Sequence, residues 1–74
     1  MTMNFGHQGD KLVWSTTEPQ MHVCMQGSRT VGFVVRVEGG FIAFDNDSNP
    51  LGRFQRWRAA KQSVETIPAR RSIL

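Results

Sequence analysis

The sequence predicts an α+β fold, a three- to four-stranded antiparallel meander packed against one C-terminal α-helix. Three observations carry this. Apolar residues alternate with period two from Met21 onward. Gly39-Gly40 interrupts the alternation where a hairpin would turn, and beyond Pro50 the apolar spacing becomes helical.

Residues 1–11 are polar, contain glycine and show no period, so they read as a flexible leader to a single domain over 12–67. Leu12-Val13-Trp14 predicts an edge strand or a cap over the core, ended by the turn chemistry of Thr16 to Pro19. Met21, Val23 and Met25 point one way and His22, Cys24 and Gln26 the other, which describes a strand. Gly27 to Arg29 breaks it, and Val31, Phe33, Val35 and Val37 alternate along the next strand. Phe41 to Asp45 returns, Asp45 to Pro50 is a loop of turn formers, and Leu51-Gly52 is a brief further strand.

Register follows by arithmetic, because a one-residue slip turns every side chain to the other face. A Gly39-Gly40 loop sets Val37 opposite Ile42 and Val35 opposite Phe44. A three-residue loop from Gly27 to Arg29, or an equivalent bulge, sets Met25 opposite Val31, Val23 opposite Phe33 and Met21 opposite Val35.

Phe54, Trp57, Ala60, Val64 and Ile67 draw one stripe along a helix that stops by Ile67, ahead of Pro68. The stripe is expected to pack on Phe33, Val35, Ile42 and Phe44. The far face of the sheet then carries Trp14, Val34, Arg36, Phe41 and Ala43 as an interaction face, too apolar for an ordinary wet surface. A second copy covering it would make a homodimer.

Charge is divided along the chain. Over residues 1–50, Lys11, Arg29 and Arg36 meet five carboxylates, whereas over 51–74 six cations meet only Glu65, within a net charge of +3. Arg53, Arg56, Arg58 and Lys61, with Arg70 and Arg71 in a basic tail over 68–74, are the candidate nucleic-acid-binding residues, since cations neutralise phosphates and release counterions. On a helical wheel at about 100° per residue, Arg53 and Lys61 flank the apolar stripe closely and Arg56 and Arg58 lie farther round on opposite sides. They do not form one strip.

Other chemistry finds little to stand on. Cys24 is the single cysteine, which excludes an intrachain disulfide and suits a reducing compartment. The start of the chain lacks the apolar run of a signal peptide, and no run approaches the length of a membrane span, so the expected location is cytoplasmic. His22 and Cys24, with His7 as a remote third, fall short of the four ligands of structural zinc. Asp45-Asn46-Asp47-Ser48-Asn49 opens like a calcium loop, but Pro50 stands where that loop needs glycine and Arg56 where it needs a bidentate glutamate. No orienting group joins Cys24 and His22 into a nucleophilic site. The expectation is no enzyme, no cofactor and no metal.

Gly40-Phe41-Ile42-Ala43-Phe44-Asp45, a polar turn, Leu51-Gly52-Arg53-Phe54 and then Ala60 and Val64 resemble a pattern in small bacterial and phage-encoded modules. There a hairpin with an aromatic-x-Ala-x-Asp strand leads through Leu-Gly-x-Phe into an Ala-containing helix. More distantly the chain is similar to the N-terminal domains of phage-type integrases, which lay a three-stranded sheet in the major groove. The resemblance covers about residues 30–64 and implies a sheet-plus-helix module of phage or prophage origin. Two differences stand beside it: Arg36 is offset by Glu38 and Asp45 where integrase-like domains carry basic and polar readers, and Arg56 replaces the usual Ser or Thr helix cap.

The sequence therefore predicts a non-enzymatic binding module that engages a protein partner, or itself, through the sheet. The alternative is a nucleic-acid-binding accessory protein using the basic helix and tail.

Overall fold

A computed structural model describes residues 11–68. Residues 1–10 of the expected 1–11 leader, and residues 69–74 of the expected tail with Arg70 and Arg71, lie outside the described residues. The elements run β1 (Leu12–Glu18), β2 (Met21–Gln26), β3 (Arg29–Val37), β4 (Gly40–Asp45), β5 (Pro50–Phe54) and α1 (Trp57–Glu65). All five strands form one antiparallel sheet in chain order. The α+β meander with a C-terminal helix is thus present, with a fifth strand because Leu12 to Glu18 and Pro50 to Phe54 both join the ladder, each with one irregularity, at Thr17 and at Leu51. No helix among the described residues is long and apolar enough to cross a membrane.

Both hairpins keep the expected faces while shifting their loops. Between β3 and β4 the last pair is Val37 with Gly40, so the loop is Glu38-Gly39, not Gly39-Gly40, and Val35 meets Ile42 while Phe33 meets Phe44. Within this loop Gly39 takes the left-handed region, at φ 85°, while Glu38 keeps a negative φ, which is why a residue with a side chain is accommodated there. Between β2 and β3 the loop shortens to Gly27-Ser28, with a bulge after the Met25–Thr30 pair. The bulge takes up Val31 and sets Val23 opposite Phe33 and Met21 opposite Val35 as expected, while Met25 meets Thr30 and not Val31.

Residues directly opposite in an antiparallel pair share a face, so the register sorts the sheet into rows. One face holds Trp14, Cys24 and Gly32 in a row, then His22, Val34, Ala43 and Gly52, then Arg36, Phe41 and Phe54. The other holds Val23, Phe33 and Phe44, then Met21, Val35, Ile42 and Arg53.

The helical stripe forms from Trp57 onward: Ala60, Val64 and Ile67 are buried with Trp57 beside them, while Phe54, expected to start the stripe, ends β5 paired with Phe41 and packs against the same core from the sheet. Its landing place corrects the expectation. The helix lies over β3, β4 and β5 on the face of Cys24, Val34 and Ala43, all fully buried, and not on Phe33, Val35, Ile42 and Phe44.

Side-chain size explains the choice. Both faces of β3 and β4 are apolar, so alternation alone does not rank them, but Cys24, Gly32, Ala43 and Gly52 leave a shallow trough in which a helix can sit close to the backbone. At Gly32 an added Cβ would run into the Phe44 carbonyl oxygen and stand 3.1 Å from Cγ1 of Val64. The opposite face is raised by the Phe33 and Phe44 rings, stacked at 4.9 Å between centroids.

Arg56 is the N-cap in an extended conformation and supplies no capping side chain. The helix is therefore held mainly by its packed face. At the other end the Thr66 N–H donates to the Gln62 carbonyl at 3.1 Å and the Thr66 hydroxyl donates to the Ser63 carbonyl at 3.0 Å.

Candidate interaction surface

The residues expected to form an exposed interaction face are mostly interior. Val34 and Ala43 have no exposed surface beneath α1. Phe41 packs against Trp57 with ring centroids 5.9 Å apart, and Trp14 meets Trp57 edge to face at 5.2 Å. Among those five residues only Arg36 is exposed. The prediction placed the interaction face on the side that the helix occupies, for the reason of size given above.

What stays open is the face assigned to the core. Among the described residues no element lies over Met21, Val23, Phe33, Val35, Ile42 and Phe44. Val13 extends this apolar surface onto β1 and is 52 % exposed. The six others are half-buried by one another alone, as neighbours on a pleated sheet shield each other's flanks. Polar groups stand at its margin. Thr30 donates its hydroxyl to Sδ of Met25 at 3.4 Å, and Arg53, opposite Ile42, directs its guanidinium back to the Glu38 carbonyl at 2.8 Å.

The candidate phosphate contacts divide between elements. Arg53 belongs to β5 and not to the helix, and its side chain lies on the sheet face away from α1. Arg56 and Arg58 are exposed around the start of α1, while Lys61 is half-buried on the helix and acts electrostatically on Cys24. Arg56 and Arg58 are thus each exposed near the start of α1, Arg53 lies on the sheet and Lys61 is half-buried, so the four are not gathered into one strip.

The remaining chemically interesting side chains are occupied by packing. Cys24 is fully buried, and its thiol is pushed up to about 11, first by burial and then by the negative charge of Glu65, against an opposing effect of Lys61. A thiol held protonated in this way is a poor nucleophile. His22 packs against Trp57 with the rings tilted by 57° and their centroids 4.8 Å apart, and shares a 3.0 Å hydrogen bond between Nδ1 and the Thr16 hydroxyl. Asp45 accepts from the backbone N–H groups of Asp47 and Asn49, each at 2.9 Å, and from the Asn49 amide at 3.2 Å. Its carboxylate ties the loop to itself, which accounts for the acidic run without a cation. Among the described residues no three His, Cys, Asp or Glu side chains gather as a metal site.

Sequence reasoning missed the open face because it ranked the two sides by apolar character alone. The signal that could have found it was present: Gly32, Ala43 and Cys24, the small residues, fall on one side, and Phe33 and Phe44, the large ones, on the other. Compared with protein-family models, curated proteins and solved structures, the chain finds no match in any of the three.

Proposed function

We propose that this chain is a non-enzymatic binding module that docks a protein surface on the open face of its sheet. The single observation behind this reading is the stacked Phe33–Phe44 pair at the middle of an uncovered apolar face. Monomers seldom leave contiguous apolar patches of more than a few hundred Å² in water, and those that do commonly use them for contact. The burial of Cys24 adds support, because it removes the one thiol from solvent, and the Asp45 carboxylate is engaged by its own loop through the Asp47 and Asn49 N–H groups.

The test is a comparison of two charge insertions one residue apart. Val35→Asp on the open face should fold cooperatively with native circular dichroism, while Val34→Asp under the helix should unfold the chain. Unfolding by both to the same degree would make Val35 part of the core and end the docking reading.

A second reading, nucleic-acid binding, is favoured by one specific feature, the exposure of Arg56 and Arg58 together at the start of α1. Polarisation titrations with labelled mixed-sequence DNA and RNA separate the two readings. Phosphate contact predicts affinity that falls steeply between about 50 and 200 mM salt and is abolished by Arg56→Glu with Arg58→Glu. The protein-docking reading predicts no such binding at low salt.

A further inference from the structure

Resting on the docking reading, we infer that the occupant of the open face is a second copy of this chain, packed sheet to sheet about a twofold axis. Charge, shape and area point the same way. The interior of the face, built by Met21, Val23, Phe33, Val35, Ile42 and Phe44, carries no charged side chain, and Arg53 at its β5 margin is already bonded to the Glu38 carbonyl. An acidic peptide or a phosphate backbone would find nothing to pair with there, whereas an identical face is matched in polarity by construction and brings no like charges into its centre.

Shape follows from the sheet itself. Twisted sheets pack face to face at about 10 Å with strand directions about 30° apart, because both carry the same hand of twist; two copies satisfy that condition without adjustment.

The area is sufficient. The five strands, at about 4.8 Å spacing and about six residues of about 3.3 Å each, present a face of roughly 24 by 20 Å, or about 500 Å². Two such faces bury about 1,000 Å² in total, the threshold at which specific interfaces begin. The need is also present: a domain of about 60 residues buries only about 60 % of its unfolded surface, and here the second side of the sheet stays half-buried until it is covered.

Sedimentation equilibrium of the full chain from low to high micromolar concentration, joined to thiol labelling of a Val35→Cys variant, tests this. Cys24 is buried and held protonated, so it does not compete for the reagent. The expected result is a mass approaching twice 8.4 kDa, labelling at position 35 that slows as the dimer fraction rises, and a folded monomer on Phe44→Asp. A monomer throughout with fast labelling would overturn self-association while leaving the face open for a different protein. A monomer with slow labelling at every concentration would show the chain's own residues 1–10 or 69–74 covering the face, and would overturn both this inference and the docking reading beneath it. A dimer unaffected by Phe44→Asp would place the contact elsewhere and overturn the inference alone.

Discussion

The indole Nε1–H of Trp14 donates to Oε2 of Glu65 at 2.8 Å, joining the outer edge strand to the last residue of α1 across 51 positions of sequence. The contact holds β1 against the helix side of the sheet, where Trp14 also meets the edge of Trp57. Glu65→Ala leaves the half-buried indole N–H without this acceptor and should cost about 1–2 kcal/mol in urea unfolding. Glu65→Gln keeps a carbonyl acceptor and should cost less. Equal losses would mean that the carboxylate charge, and not the hydrogen bond, is what matters.

The two faces of β3 should differ in mutational cost. Val34 is fully buried against the helix, so Val34→Ala opens a cavity and should cost about 2 kcal/mol. Val35→Ala removes the same two methyl groups from the open face and should cost less than about 1 kcal/mol in dilute solution. Chemical denaturation of both, at a concentration low enough to keep the chain monomeric, gives the comparison.

Gly32 sets how closely the helix lies on the sheet. The obstacle to a side chain there is the backbone carbonyl of Phe44, which cannot rotate away, with Val64 immediately above. Gly32→Ala should therefore destabilise by about 1–3 kcal/mol, although alanine is otherwise acceptable in a strand. Partial relief by Val64→Ala in the same chain, measured as a double-mutant cycle, would locate the strain between these two residues.

The legible part of the fold was whatever a period could encode. Alternation from Met21 to Asp45 gave the central strands, and the spacing of Ala60, Val64 and Ile67 gave the helix and its buried stripe. The assignment of side chains to faces survived errors of loop and register, because the bulge at Val31 and the turn at Glu38-Gly39, which moves the β3–β4 pairs by two residues, preserve side-chain parity. The side on which the helix lands was not a matter of period, since Val34 and Val35 are equally apolar; it was decided by the volumes of Gly32, Ala43, Phe33 and Phe44. The candidate surface inverted with it. Arg53 was drawn into the helix because Phe54 continues the stripe by spacing, while the chain remains paired with β4 through Phe54.

Stability should fall at alkaline pH partly through Cys24. Its folded thiol titrates near about 11 against a reference of 9.0, because burial and Glu65 disfavour the thiolate. The folded state thus holds this proton more tightly than the unfolded one. The contribution is complete below pH 9 and is lost as pH rises from about 9 to about 11. Cys24→Ala should flatten the decline in that window relative to the parent, and an unchanged slope would assign the alkaline loss to other groups.

Asp45→Ala should loosen the loop between β4 and β5, because it removes the acceptor for the Asp47 and Asn49 N–H groups. The loop is exposed and water replaces the lost partner, so the expected cost is about 1 kcal/mol, seen as faster amide exchange at Asp47 and Asn49. Added calcium should leave the melting temperature of the parent unchanged. A calcium-dependent rise would show the carboxylate serving a cation instead.

The most direct test of the whole account is an NMR measurement of which sheet face touches the helix. Nuclear Overhauser contacts from the Val64 methyls to Val34 and Ala43, with none to Val35 or Phe44 within a protomer, are the predicted result. Contacts from Val64 to Val35 and Phe44 would contradict it, returning those residues to the core and closing the surface on which the proposed docking depends.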